Sequence, residues 1–459
     1  MSLNTFSRCA AITTVAFVVS LMSVANYAAT VTVDFSQHVG SDLVKNKFGV
    51  YQTPFFFKTH PPQKFDMVPL LREAGVRDLR YEFAWGKPDA YAFDQIRGTA
   101  DNPIVDFRPL DPFILQLMRA KVTPLFALTY DPLPLQTSTD WQSWKDRPKD
   151  LDCWTNIISS YTAHYSVDLH VPLVRYEVWN EPDLPGDGGK VFFNGSPQDY
   201  GRLYATTAPA VKAASTDRRY KSEVGGPAIA YDPDYITKSE LLNQPIDFVS
   251  VHAYGNYDAQ IRAVREALGA HKLPIFVTEY ASFNEFGLDH PISRYPAAAA
   301  FFRDVKSLLE YTDVTKVYWA QWIDSPIGML TDDLHRKALF NAYKIYQTML
   351  PVSRVRTLVD PNSKVDAMAS SDGVHSATVI WNNGKTDATN VTVNLAGLPL
   401  SPGTIYLYRI DSHHASWVDD KSTEQLHVDQ QWRFSQQRSV WTGEIPAESV
   451  VFLTNTREH

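Results

Sequence analysis

A (β/α)8 barrel followed by a β-sandwich is the architecture that the sequence predicts, and three observations carry it. Short apolar runs alternate with amphipathic stretches eight times between Lys47 and Ile323, the rhythm of a parallel barrel. That rhythm stops at Pro351, and short strands of alternating polarity replace it up to His459. A doubly wound sheet would carry a G-x-G-x-x-G phosphate loop after its first strand, and no such loop is present.

Taken in order, residues 1–29 read as an export signal. Arg8 supplies a positive start, and AAITTVAFVVSLMSVA (Ala10–Ala25) is an apolar run too short to span a bilayer comfortably. Small residues follow, with cleavage expected after Ala25, Ala28 or Ala29, which would leave an exported, periplasmic or extracellular chain without stable membrane insertion. Cys153 would then be its one thiol, so packing rather than a disulfide must hold the fold. ATVTVDFS (29–36) is a lone alternating strand, and its segment 30–36 is expected to complete the distant sandwich.

The barrel is predicted over 38–350. Its eight strand runs are KFGVYQT (47–53), VRDLRYEF (76–83), VTPLFALT (122–129), PLVRYEVW (172–179), SEVGGPAI (222–229), DFVSVHAY (247–254), PIFVTEY (274–280) and KVYWAQWI (316–323). Helices are expected in FDMVPLLREAGV, DPFILQLMRAKV, KDLDCWTNIISSY, PQDYGRLYATTAPAVKAAS, DAQIRAVREALGAH, PAAAAFFRDVKSLLEYT and HRKALFNAYKIYQTML, each with apolar residues at helical spacing. From 351 to 459, HSATVIWNN, TNVTVNLAG, GTIYLYRI and SVVFLTN read as sandwich strands, with an Asn-Gly turn signal in WNNGKTD.

Composition narrows the partners. The 459 residues carry a net charge of −8 without a basic block, which argues against nucleic acid. With 11 Trp and 23 Tyr, the chain is well supplied with rings that stack on sugars, although core packing uses the same rings. Of the 13 His, all but His252 lack a metal-like grouping, and no H-E-x-x-H occurs, so neither metal nor cofactor is expected.

In such barrels the chemistry gathers at the C-terminal ends of the strands. The fourth run ends in Asn180-Glu181, and Pro182 then turns the chain at the rim. The sixth ends in His252-Ala-Tyr254, the seventh in Glu279-Tyr280, and the eighth carries Trp319 and Trp322. The second offers Arg80, Glu82 and then Trp85; Asp131 lies on the loop after the third. Three units separate Glu181 from Glu279, so the two acids face each other across the barrel mouth. Paired carboxylates flanking a cleft are what glycosidic cleavage requires: one protonates the leaving oxygen and the other meets the developing oxocarbenium ion.

The ordered set YEVWNEPDLPG, VGGPAIA, IDFVSVHAYGNY, PIFVTEY and RKALFNAYKIYQTM, spanning Phe48 to Leu350, resembles glycoside hydrolase family 39. That family includes β-xylosidases, α-L-iduronidases and exopolysaccharide-cleaving enzymes. The resemblance implies a retaining mechanism with Glu181 as acid/base and Glu279 as nucleophile, their carboxyls about 5–5.5 Å apart. It also implies that Asn180 binds the sugar 2-hydroxyl, that Tyr254 donates to the nucleophile, and that His252 supports the site. Trp319 or Trp322 would stack on the sugar; they are expected to point opposite ways, with Trp319 the platform. Arg80 would contact the sugar or brace one of the acids. Where the β-xylosidase branch has a histidine after the arginine of strand two, this chain reads RYEF, with Tyr81 or Glu82 instead; the loop DLPGDGGKVFFNGSPQDY departs as well. Both departures bear on the sugar accepted, not on the hydrolytic chemistry.

The function expected is therefore a secreted retaining glycoside hydrolase acting on a carbohydrate, an endo-acting exopolysaccharide hydrolase first and an exo-acting β-xylosidase-like enzyme second. A sugar-binding barrel without turnover is the reading from another class, and loss of either acid would signal it; both are present. The sandwich is expected to brace the barrel rather than bind carbohydrate independently.

Overall fold

The computed structural model describes residues 29–187, 189–215, 219–399 and 402–458; the signal-like segment apart from Ala29 lies outside them. Eight parallel strands close into a barrel: β1 Phe48–Gln52, β2 Asp78–Glu82, β3 Thr123–Leu128, β4 Leu173–Val178, β5 Lys221–Ile229, β6 Phe248–Tyr254, β7 Ile275–Ala281 and β8 Val314–Ala320. β8 returns to pair with β1, Val317 opposite Phe48 and Ala320 opposite Tyr51.

Strand alternation assigns each residue a layer. On β2, Leu79 and Tyr81 face outward, where the Tyr81 ring meets Phe57 and Phe113. Asp78, Arg80 and Glu82 face inward, from the floor of the barrel to its mouth. β4 answers them: Arg175 donates to Asp78 at 2.6 Å in the lower layer, and Glu177 accepts from Arg80 at 2.7 Å in the upper. Between and around these ion pairs the interior is filled by Tyr51, Leu125, Phe248, Phe276, Tyr318 and Ala320. Buried charges of this kind persist only when paired.

Outside the strands lies the helical layer. Leu151–Ala163 starts at Asp150, whose carboxylate accepts from the Cys153 amide at 2.9 Å; Pro197–Ala214 starts at a capping box of Ser196 and Asp199. The fifth unit crosses over through the short helix Asp234–Thr237 and the 3-10 turn Leu241–Asn243, and the second inserts a hairpin, Ile96–Thr99 with Asn102–Val105.

Beyond the barrel two sheets face one another. One has the order Val355–Val359, Thr30–His38, Ala388–Ala396, Arg438–Ile445, so the first described strand of the chain sits inside it. The other has the order Val365–Ser371, Ser376–Asn382, Val450–Thr454, Gly403–Ile410, Gln430–Phe434. Its outer face packs on the helices Pro296–Leu308 and Ala338–Lys344, with Trp381 stacked on Phe302 at 6.0 Å.

Candidate active site

Three strand ends converge at the barrel mouth. After β4 the backbone enters the left-handed region at Trp179 (φ 71°) and again at Glu181 (φ 40°), conformations that L-residues adopt at a cost. The Glu181 amide donates to the Ala228 carbonyl at 3.1 Å, which holds this turn against β5. The turn buries the Trp179 ring behind the strand, against Trp154 and Phe193, and sends Asn180 and Glu181 into the mouth.

Arg80 organises the floor of the site. It is wholly buried and donates to three groups: Glu177 at 2.7 Å, Glu279 at 2.8 Å and the Asn180 side-chain oxygen at 2.8 Å. Because Asn180 Oδ1 accepts from Arg80, its amide nitrogen faces the other way and donates to the Tyr130 hydroxyl at 3.3 Å. Glu279 receives a second bond from Tyr254 at 2.6 Å. His252 Nδ1 lies 2.8 Å from Glu181 and 3.7 Å from Glu279, between the two acids.

The electrostatics separate the two carboxyls. Burial raises the pKa of Glu181, the charge of Glu279 adds to it, and the bond from His252 only partly offsets both. Burial would raise Glu279 too, but the charges of His252 and Arg80 and the Tyr254 hydroxyl outweigh it, and its pKa falls below the usual carboxylate range. Burial, reinforced by the Glu279 charge, holds the Tyr254 phenol well above its ordinary value, so it remains a donor. His252 Nε2 is buried without a partner while Nδ1 faces Glu181. Burial lowers the His252 pKa, but the Glu279 charge, the bond to Glu181 and the Glu181 charge outweigh it, so the pKa rises and the ring favours the charged form that donates from Nδ1 to Glu181. One donor atom each from Glu181, His252 and Glu279 falls within a 4.8 Å set, so a cation would find ligands here; it would have to compete with Arg80 and Tyr254 for Glu279. The same spacing suits the close carboxyl pair of a retaining glycosidase rather than the wider pair of an inverting one.

Several residues expected at the mouth are elsewhere. Trp319 faces outward from β8 and packs among Phe48, Tyr280 and Phe301; Trp322 is buried against Phe340. Neither is a sugar platform, and they do not point opposite ways, because the strand ends at Ala320 and alternation no longer holds beyond it. The inward residue at the top of β8 is Ala320, followed by Gln321, which accepts from Thr53 at 3.1 Å. Trp85 is core as well, stacked on Phe83 at 4.7 Å. Asp131 is fully buried, and burial raises its pKa well above the ordinary value; it does not reach the mouth. Glu82 does: it continues the inward row of Arg80 and accepts from Tyr51 at 2.8 Å.

Other contributors were not singled out from the sequence. Glu177 is the buried counter-charge that fixes Arg80, and its signal is a charged residue at period two inside an apolar strand. Asp183 accepts from the amides of Ala230, Tyr231 and Asp232 at 2.9, 2.6 and 2.7 Å, and so ties the loop after β5 to the loop after β4. That tie sets Tyr231 at the edge of an open cleft of about 490 Å³, which Glu181, His252, Tyr254 and Glu279 also line. Phe286, from the loop after β7, stands opposite and touches Tyr254 edge-on at 5.5 Å.

Comparison with known proteins decides the family. The sequence profile of glycosyl hydrolases family 39 matches residues 73–422. The chain belongs to glycosyl hydrolases family 39. Among solved structures, this family-39 chain is similar to the GH39 enzyme from Xanthomonas axonopodis pv. citri, with 20% identity, TM-score 0.74, and coverage of 93% of this chain and 96% of the other. A GH39 β-xylosidase from Caulobacter crescentus gives 20% identity and TM-score 0.73 over 93% of this chain and 100% of that one. An α-L-arabinofuranosidase from Thermotoga maritima shares the fold at 14% identity and TM-score 0.63, covering 93% and 99%. No curated protein matches the chain. As a family-39 member it is a retaining glycoside hydrolase, and its substrate is a carbohydrate.

Proposed function

We propose that this glycosidase is an exported, endo-acting hydrolase of an exopolysaccharide, with Glu181 as acid/base and Glu279 as nucleophile. Protonated Glu181 gives its proton to the leaving oxygen while ionised Glu279 attacks the anomeric carbon, forming a glycosyl-enzyme. The charge on Glu279 is then consumed, so the Glu181 proton is held less tightly; ionised Glu181 takes a proton from water, which displaces Glu279. Asn180 offers its amide nitrogen to the sugar, since Arg80 occupies its oxygen.

The observation that carries the endo reading is the open cleft flanked by two exposed rings, Tyr231 (61% exposed) and Phe286 (50% exposed). Exposed rings beside the acids suit a polymer that runs past the site, whereas a chain-end enzyme needs a closed end. Phe55 and Trp141, also exposed, sit on the loops after β1 and β3 and supply further rings on that face of the barrel. Export rests on the apolar run and small residues of 1–29. The second reading, an exo-acting β-xylosidase-like enzyme, is favoured by the likeness to the Caulobacter crescentus β-xylosidase. Viscosity and reducing ends, followed together on bacterial exopolysaccharides, test the choice. Endo action drops viscosity before many reducing ends appear; steady release of monosaccharide with unchanged viscosity would favour the exo reading.

A further inference from the structure

We propose that Glu82 restricts the sugar bound over Glu279 to one without a carboxylate, so that neutral glycosides are taken and uronic acid glycosides are refused. The inference rests on the glycosidase reading above and names the substrate class of that same site.

The first observation is where the positive charge goes. A uronic acid needs a cation, or a set of uncommitted donors, to replace the water around its carboxylate. Arg80 is at the site, but it is fully buried and its three donor nitrogens are committed to Glu177, Glu279 and Asn180. His252 is committed through Nδ1 to Glu181. The Lys87 ammonium lies over the rings of Phe55 and Trp144, at 4.5 and 5.2 Å from their centres, and the carboxylates acting on it are Glu82 and Asp89, so its charge is answered by acids already in place.

The second observation is what faces the sugar instead. Glu82 follows Arg80 by two residues on β2 and so projects from the same wall, one layer nearer the mouth. Tyr51 donates to one of its oxygens at 2.8 Å, and Tyr51 is itself fixed by the Arg80 guanidinium 4.6 Å from its ring. Tyr130, which accepts from Asn180, lies against the same carboxylate. Glu82 is thus a fixed acceptor beside the residue that meets the sugar. A hydroxyl of a neutral sugar donates to it. A sugar carboxylate in its place meets like charge, beside a cleft that Glu279 already lines.

Matched pairs of aryl glycosides test this, each pair sharing configuration and leaving group and differing only at C6: hexoside against hexuronide in the gluco, galacto and manno series. The intact protein should split at least one hexoside with kcat/KM roughly 100-fold above its uronide, the order expected for close like charges. Glu82→Gln removes the charge and keeps an acceptor, and should narrow that ratio at least about 10-fold, chiefly by raising the uronide. Tyr51→Phe keeps the charge and should leave the ratio in place. Thermal melts establish that each variant is folded. Faster splitting of a uronide, or a ratio unmoved in folded Glu82→Gln, overturns the inference while leaving the glycosidase reading intact. Failure to split any member of any pair counts against the inference, and the glycosidase reading falls with it only if no exopolysaccharide gains reducing ends either.

Discussion

Glu181 and Glu279 share one neighbour, His252, and yet favour opposite protonation states. Glu279 has Arg80 and Tyr254 on its two oxygens; Glu181 has His252 and burial. The signs fix the pH profile. With Glu279 lowered, kcat/KM should hold until pH falls below the ordinary carboxylate range; with Glu181 raised, it should decline as pH rises above that range. For stability the lowered Glu279 contributes above its unfolded pKa and loses that contribution as pH falls through the folded one, while the raised Glu181 subtracts as pH rises. On an aryl glycoside with a very acidic leaving group, Glu181→Gln should erase the alkaline limb of kcat/KM and leave the acid limb; an alkaline limb that persists would place that pKa on another group. Azide separates the two roles. In Glu181→Ala it needs no base, so it should restore turnover and give a glycosyl azide of retained configuration; in Glu279→Ala it should attack directly and give the inverted azide. Like configurations from the two variants would refute the assignment. Both acids were readable in the sequence because each ends a long apolar run. Glu177 and Asp183 were not, since a buried counter-charge and a loop tie are defined by partners distant in sequence.

Elements were readable wherever period alone decides them. The eight parallel strands are buried on both faces and appear as apolar runs, and charges at alternate positions of β2 and β4 form the interior ion pairs. What period does not encode is where a strand stops. β8 ends at Ala320, so extending alternation to Trp322 gave the wrong face, and Trp319 went to the helical layer. The hairpin Ile96–Thr99 with Asn102–Val105 is too short and too exposed to leave an apolar signature. Close approach of strands leaves one that can be tested. A Cβ at Gly225 on β5 would sit 2.3 Å from the Phe248 carbonyl of β6, a backbone atom that cannot yield without breaking the barrel. Gly225→Ala should cost about 2 kcal/mol or more, read from the urea midpoint. Gly40→Ala, where a Cβ meets nothing within 4 Å, should stay within about 0.5 kcal/mol. Equal midpoints for the two would show that β5 and β6 are not packed this closely.

At the scale of the molecule, the second sheet and the barrel helices share one apolar surface. Trp381 stacks on Phe302, Asn341 on the last barrel helix donates to the Ala415 and Glu424 carbonyls at 2.9 and 3.0 Å, and Arg336 pairs with Glu424 at 2.5 Å. A chain ending at Leu350 would bare this surface and strand the Thr30–His38 strand without its sheet. It should be insoluble or melt well below the full chain; a truncated barrel with an unchanged melting temperature would show that the sandwich is dispensable. The strand order that places Thr30–His38 between Val355–Val359 and Ala388–Ala396 ties the first described strand into the C-terminal sandwich, and composition alone gives no hint of which strands it separates. All of this holds Glu181 and Glu279 at one fixed separation, with an oxygen of each in a 4.8 Å set. That separation is the central claim, because a carboxyl pair this close belongs with retention through a covalent intermediate. Proton NMR of the first product released from a cleaved glycoside reads it directly. The account predicts that the anomer of the substrate appears first and mutarotates later; initial appearance of the opposite anomer would contradict it.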